Sequence, residues 1–413
     1  MSPEPDQAVP ADVGEVSASA SGRAEAACAG ADAEADADAY LRLLMREGVD
    51  VPAHTQGPPP TEPPPWLDEE KFRLGQRFAT EHLFGLAYSE MLSLIILFSF
   101  PSSLEPLIFT GNSDTPFKAF KRYLSTGIRV LAWFEGDVWG GGGGGEARRQ
   151  VGTVRAMHEA VQRRLGATPA PQRERRGHVA GPLWAPLTTA GMLGGGAGGG
   201  AGGGGGGCPC LRAGVDVNQT EMALTQFGFV GLMLLHPDRL GAPDASERDL
   251  EGFAHMWRGL GYLLGIEDRF NLCSGDLNSV RRRCQLVVER LVAPSMERVT
   301  AEWEHMSRCM VAGVALYVPG PPFSVSLCYL LGELLALREP AARLRAALSL
   351  GDRLTLLFVG GLLRWLLRFA PLRRLYNWLL RLAMKRARHA PQLWLSAAEA
   401  RRYPYQQPAI TQL

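Results

Sequence analysis

The sequence predicts an all-α protein. Three features carry that expectation: apolar residues recur at helical spacing in segment after segment, acidic residues or proline stand where helices should begin, and glycine or proline stands where they should stop. The clearest case is Val151 to Leu165, where Val151, Val154, Met157, Val161 and Leu165 fall on one side of a helix. Arg155 and His158 lie three apart beside that stripe, so the spacing predicts an imidazole and a guanidinium pointing together toward the interior. From this helix alone His158 has two readings: a histidine that hydrogen-bonds within the core, or a metal or haem ligand with a cationic neighbour.

Size and composition bound the rest. A chain of 413 residues with 46% hydrophobic content can bury a large core, and one main domain is expected. Residues 1–65 read as a disordered acidic tail followed by a proline-rich linker, with a short helical patch at Tyr40 to Arg46. The helical domain is expected over residues 66–350, and residues 351–413 form a basic, amphipathic C-terminal region. The start of the chain lacks the charged end and apolar stretch of a secretory signal, which points to an intracellular location. A net charge of +1, with no basic stripe interleaved with aromatics, argues against a nucleic-acid partner.

Cys28, Cys208, Cys210, Cys273, Cys284, Cys309 and Cys328 are an odd, scattered set, unlike a disulfide framework, and suit a reduced compartment. Cys208 and Cys210 lack a second ligand pair for a metal. No Cys-x-x-Cys-His occurs, so any haem would be held by coordination and packing rather than by covalent bonds.

Taken in order, the ordered part begins near Trp66. Asp68 to Phe100 reads as one helix that starts acidic, becomes apolar on nearly every side by Met91 to Phe100, and ends at Pro101. Glu90 interrupts the apolar run, which falls short of the roughly 20 residues a bilayer demands, so a fully buried core helix is expected, able to wall a pocket for a greasy substrate. Ser113 or Asp114 should cap the next helix, with Pro116 in its first turn. That helix places Arg122, Ser125 and Thr126 on one face, most simply a solvated one. Six glycines, Gly140 to Gly145, separate it from the His158 helix, and residues 167–214 form a low-complexity, glycine-rich insertion.

Helices resume at Thr220, with small residues that let backbones approach, and again over Leu250 to Asn271, where His255 and Arg258 repeat the histidine–arginine spacing near Tyr262. Further helices are expected over Ser279 to Pro294, with Arg281, Arg282 and Arg283 as a solvated face, then over Arg298 to Leu316 and Phe323 to Leu350. Leu354 to Arg388 mixes apolar runs with arginines, a pattern that suits a membrane surface and equally suits helices packed on the core with arginine stems reaching outward.

Three segments together resemble the ER-bound oxygenase mpaB and rubber oxygenase (latex-clearing protein) catalytic domain family: RYLST at Arg122 to Thr126, VRAMH at Val154 to His158, and MALTQFGFVG followed by GYLLGIEDRFNLC. The resemblance covers roughly Trp66 to Leu350 and implies a globin-like multi-helix bundle of the rubber-oxygenase type holding a b-type haem. The family's helical Arg-x-x-His supplies the proximal ligand, so the resemblance makes His158 the axial ligand to haem iron, with Arg155 beside the cofactor. Its distal Arg-x-x-Lys-Thr corresponds to Arg122, Ser125 and Thr126; the lysine is replaced by Ser125, whose hydroxyl cannot stand in as a sixth ligand, which implies an open distal position. Glu105 lies upstream, in the region of the family's catalytic glutamate.

The activity this implies is oxidation of a hydrophobic lipid or isoprenoid substrate by O2, with association to the endoplasmic reticulum membrane. Two alternatives remain: a non-catalytic, lipid-binding or membrane-associated helical protein that has lost distal chemistry, and a non-haem metal enzyme using His158 with His255.

Overall fold

A computed structural model describes residues 33–53, 60, 62–139, 145–169, 172, 179 and 215–389. Among these every regular element is helical, and the one extended pairing is an isolated bridge between Pro52 and Asn218.

Order begins earlier than expected. Residues 33–46 form α1, with Ala37, Tyr40, Leu41 and Leu44 at helical spacing and all buried. Tyr40 donates to the carbonyl of Phe270 (2.8 Å), and Thr220 donates to that of Leu44 (2.7 Å). The acidic residues read as a tail are paired: Glu34 with Arg282, Asp36 with Arg283 at 2.7 Å, and Asp38 with Arg290 at 2.6 Å. The helix expected at Tyr40 to Arg46 is present as part of α1, and the expected tail and linker are corrected where the structure orders them, at 33–38 and 51–53. So is the solvated face at Arg281 to Arg283, since Arg283 is buried and lies over the Tyr40 ring. Residues 1–32 and 54–59, the glycines 140–144 and most of the expected insertion lie outside the described residues.

The single helix expected over Asp68 to Phe100 is two, α2 (Glu69–Glu81) and α3 (Leu83–Leu97), broken at His82. The break is held from a distance. Asn377 accepts from the Phe84 amide (2.9 Å) and donates to the Glu81 carbonyl (2.6 Å), so a residue near the C-terminus satisfies backbone groups that an unbroken helix would have paired internally. Asp68, read as the acidic start of the helix, is the cap of α2, accepting from the amides of Glu70 and Lys71. Pro101 ends the apolar stretch and also opens α4 (Pro101–Thr110), which turns away from α3 by 99°.

The following helix, α5 (Pro116–Glu135), has Pro116 in its first turn as expected, but its cap is Thr115, which accepts from the Lys118 amide at 3.3 Å. α6 (Glu146–Gly166) contains His158, and α7 (Gln219–Leu235) and α8 (Glu247–Leu264) each start with a reciprocal capping box, Asn218 with Glu221 and Ser246 with Asp249. α9 (Leu277–Val287) runs through a π-turn into Ala293–Met296, and α10 (Ala301–Ala315) follows. α11 (Phe323–Tyr329), itself extended by a π-turn, leads to α12 (Arg338–Ala347). Two last helices, α13 (Leu350–Arg364) and α14 (Ala370–His389), make an elbow of 117°.

Packing is tightest where glycine removes the side chain. A Cβ on Gly75 of α2 would lie 2.3 Å from the Gly252 carbonyl of α8, so these two backbones meet directly. The core runs between them and α3, α7 and α10, through Phe98, Phe227, Phe253, Trp257 and Trp303, with Trp303 donating its indole N–H to the Ile95 carbonyl at 2.8 Å. No single helix among the described residues is long and apolar enough to cross a membrane; the two bent pairs, α3 with α4 and α13 with α14, pass on length and composition only.

Candidate functional site

The helices leave an open, mostly apolar cavity of about 1990 Å³, walled by α3, α5, α6 and α7 and by the C-terminal elbow. It is larger than the roughly 300–1,000 Å³ of most small-molecule pockets. Met91, Leu94, Leu97 and Phe98 of α3 form one wall, so the apolar helix expected to border a greasy pocket does so.

The structure splits the stripe of α6 in two. Val151 and Arg155 are buried against neighbouring helices, whereas Val154, Met157, His158 and Val161 face the cavity. Residues three apart on a helix are separated by about 60° around its axis, enough here for Arg155 and His158 to point to different places. Arg155 is 3% exposed; it donates to the Leu263 carbonyl at 3.3 Å and lies 3.9 Å from Glu159. It anchors α6 on α8 and does not line the cavity, which corrects the shared orientation expected for this pair.

His158 is half-buried at the cavity wall, with Nδ1 shut off from solvent. Burial, and then the guanidinium of Arg122, push its pKa down to about 4, which keeps the imidazole neutral at pH 7. Arg122, Ser125 and Thr126 of α5 line the same cavity, so four residues singled out by the sequence do meet. The polar atoms of Ser125 and Thr126 are engaged locally: the Thr126 hydroxyl donates to the Arg122 carbonyl at 3.1 Å, and Arg129 donates to both the carbonyl and the Oγ of Ser125. The Arg129 guanidinium is a cavity group that the sequence reading missed, although it stands seven residues after Arg122 and so shares its face. Its Nε is buried without a hydrogen-bond partner, and among the described residues neither Arg122 nor Arg129 is paired with a carboxylate.

Two carboxyls border the cavity, and neither is Glu105, which is exposed on α4 and does not line it. Glu90, read only as an interruption of an apolar run, is pushed up to about 8 by burial. Glu221 is pushed up to about 7 by burial against the opposing pull of the Asn218 amide. Gln226 is fixed by a network: it donates to the Trp257 carbonyl (2.8 Å) and to Asn271 Oδ1 (3.0 Å), and it accepts from the Leu272 amide (3.0 Å).

His255 is elsewhere. It accepts from the Asp68 amide at 2.9 Å, packs edge-on to Trp66 and borders a separate cavity of about 300 Å³, so it shares no site with His158. Among the described residues no cluster of three histidine, cysteine or carboxylate side chains is placed to hold a metal ion. The pairing of His158 with His255 that the non-haem alternative needs is therefore not made. Cys273, Cys284, Cys309 and Cys328 are buried free thiols raised by burial, the opposite of a reactive thiolate; Cys208 and Cys210 lie outside the described residues.

The lining suits an apolar ligand with an acidic end. A b-type haem asks for one neutral imidazole, an apolar slot and cations for its propionates, and His158, the α3 wall, and Arg122 with Arg129 meet those needs. No protein-family model matches the chain, and no curated protein and no solved structure is found similar to it.

Proposed function

We propose that this chain is a haem-dependent oxygenase of the mpaB and rubber oxygenase type, with the globin-like arrangement that family implies, acting with O2 on a hydrophobic lipid or isoprenoid substrate. The observation that carries the reading is the half-buried imidazole of His158 on the wall of a large apolar cavity whose α5 side bears Arg122 and Arg129. In this reading His158 would ligate the haem iron, Arg122 and Arg129 would receive the propionates, and Arg155 serves by fixing α6 rather than by touching the cofactor. When bound, the haem supplies the O2 chemistry. The apolar α3 wall limits water at the site, and burial holds Glu90 and His158 toward their uncharged forms.

Purified protein reconstituted with hemin should show a Soret band that His158→Ala abolishes or shifts, while Arg155→Lys leaves it in place. No Soret band, or one unchanged in His158→Ala, overturns the reading.

A second reading, a lipid-binding protein without catalysis, is favoured by one observation: the hydroxyls of Ser125 and Thr126 are engaged within α5, where the related pattern has lysine and threonine. Haem bound without oxygen consumption on any lipid supports it.

A further inference from the structure

The C-terminal elbow is apolar on its outer side as well as its inner one. Leu356, Leu363 and Leu380 are buried against the protein, where Arg373, 6% exposed, pairs with Glu81 and, at 3.3 Å, with Asp244, and Asn377 is spent on the α2–α3 break. Other large apolar side chains point outward, with Trp365 63%, Phe369 60% and Trp378 57% exposed. Apart from Met157 and Val215, every large, exposed apolar side chain among the described residues lies on this elbow, between Leu350 and Leu379. Apolar groups scattered singly over a surface need no explanation, but their concentration on one pair of helices marks an interaction site.

We propose that the covering partner is the surface of a lipid bilayer bearing anionic headgroups, into which the elbow lays its aromatic face without crossing. Charge selects this occupant. The elbow carries Asp352 as its one acidic residue, and among the described residues no carboxylate pairs with Arg368, Arg374 or Arg386. Tryptophans flanked by unpaired cations match the depth profile of a bilayer interface, apolar inward and anionic at the headgroups. A second copy seated on the same patch about a two-fold axis would bring these cations against each other, a repulsion that the bilayer turns into attraction.

The patch also adjoins the cavity. Phe358 and Leu379 are exposed on the elbow and line the cavity as well, so its mouth opens on the face that meets the bilayer. A lipid can pass from membrane to cavity without entering water; this last step rests on the proposed function, whereas docking does not.

The full chain should sediment with phosphatidylcholine vesicles containing phosphatidylglycerol, and brominated lipid should quench its tryptophan fluorescence. Trp365→Ser with Trp378→Ser removes two exposed side chains that do not line the cavity, and should weaken vesicle binding by about a hundredfold while leaving the circular dichroism unchanged. His158→Ala should bind vesicles as the wild type does, which separates this test from that of the haem. Wild-type protein that stays in the supernatant, equal binding by the double variant, equal binding to pure phosphatidylcholine, or a wild-type dimer that the double variant dissociates would each overturn the proposal.

Discussion

Glu90→Gln is the most informative single perturbation of the cavity. The carboxyl sits on α3 among apolar side chains, and burial alone pushes it from its usual 4.5 to about 8. The unfolded chain releases this proton near its ordinary value while the folded chain keeps it. Stability associated with Glu90 is therefore full below about pH 4.5 and is lost as pH rises through about 8. A displacement of that size corresponds to about 5 kcal/mol at full value. Glu90 borders a cavity with an open mouth, and screening there reduces the realised penalty to about 2 kcal/mol. Glutamine keeps the shape and cannot ionise. Urea unfolding followed by circular dichroism should give wild type and Glu90→Gln similar stabilities near about pH 5 and a variant more stable by about 2 kcal/mol near about pH 8.5. A difference that stays constant across that range would refute the reasoning, because it would mean that the carboxyl is hydrated and the cavity wall wet.

Two further predictions concern what holds the cavity's frame. Gly75→Ala places a methyl group 2.3 Å from the Gly252 carbonyl and 2.6 Å from Met256 Cβ, neither free to yield, and should cost about 3 kcal/mol in thermal unfolding, whereas Gly152→Ala meets nothing within 4 Å and should be neutral or slightly stabilising. Arg373→Met leaves Glu81 and Asp244 unpaired, but their side chains are 58% and 43% exposed and remain hydrated, so the loss should be about 1–2 kcal/mol rather than the 3–5 kcal/mol of a fully buried pair, measured by urea unfolding.

What the sequence disclosed and what it concealed divide along one line. Features within a turn or two of helix were largely legible: the acidic start at Asp68, Pro116 in the first turn of α5 and the apolar wall of α3 follow from neighbours in the chain, although the cap of α5 is Thr115 and not Ser113 or Asp114. Interactions between distant segments were not. Glu34, Asp36 and Asp38 read as an acidic tail and Arg281 to Arg283 as a solvated run, since each charge cluster by itself is best hydrated; that Glu34 and Asp36 neutralise Arg282 and Arg283 across nearly 250 residues is a property of the fold. The break at His82 was concealed for the same reason, its backbone groups being paired by Asn377. The site is an intermediate case. Helical spacing brought Arg122, Ser125 and Thr126 to one face and His158 to the edge of another, but which face meets a cavity depends on the neighbours that Arg155 finds on α8.

The cavity's electrostatics narrow what it can hold, whichever functional reading prevails. Burial drives Glu90 and Glu221 up and His158 down, each toward its uncharged form. The walls are thus mostly apolar, and their charged groups are cationic, chiefly Lys118, Lys121, Arg122 and Arg129 on α5 with Arg386 on α14. A cation would find no counter-charge there, and a fully apolar ligand would leave the buried Arg129 Nε as it is. An apolar body with an anionic end satisfies both constraints. Haem and a fatty acid share that description, which is why the catalytic and the lipid-binding readings both survive the electrostatics. What separates them is His158: under the proposed function haem would take its imidazole as a ligand, whereas a fatty acid would not, so the spectrum of His158→Ala decides between the two readings.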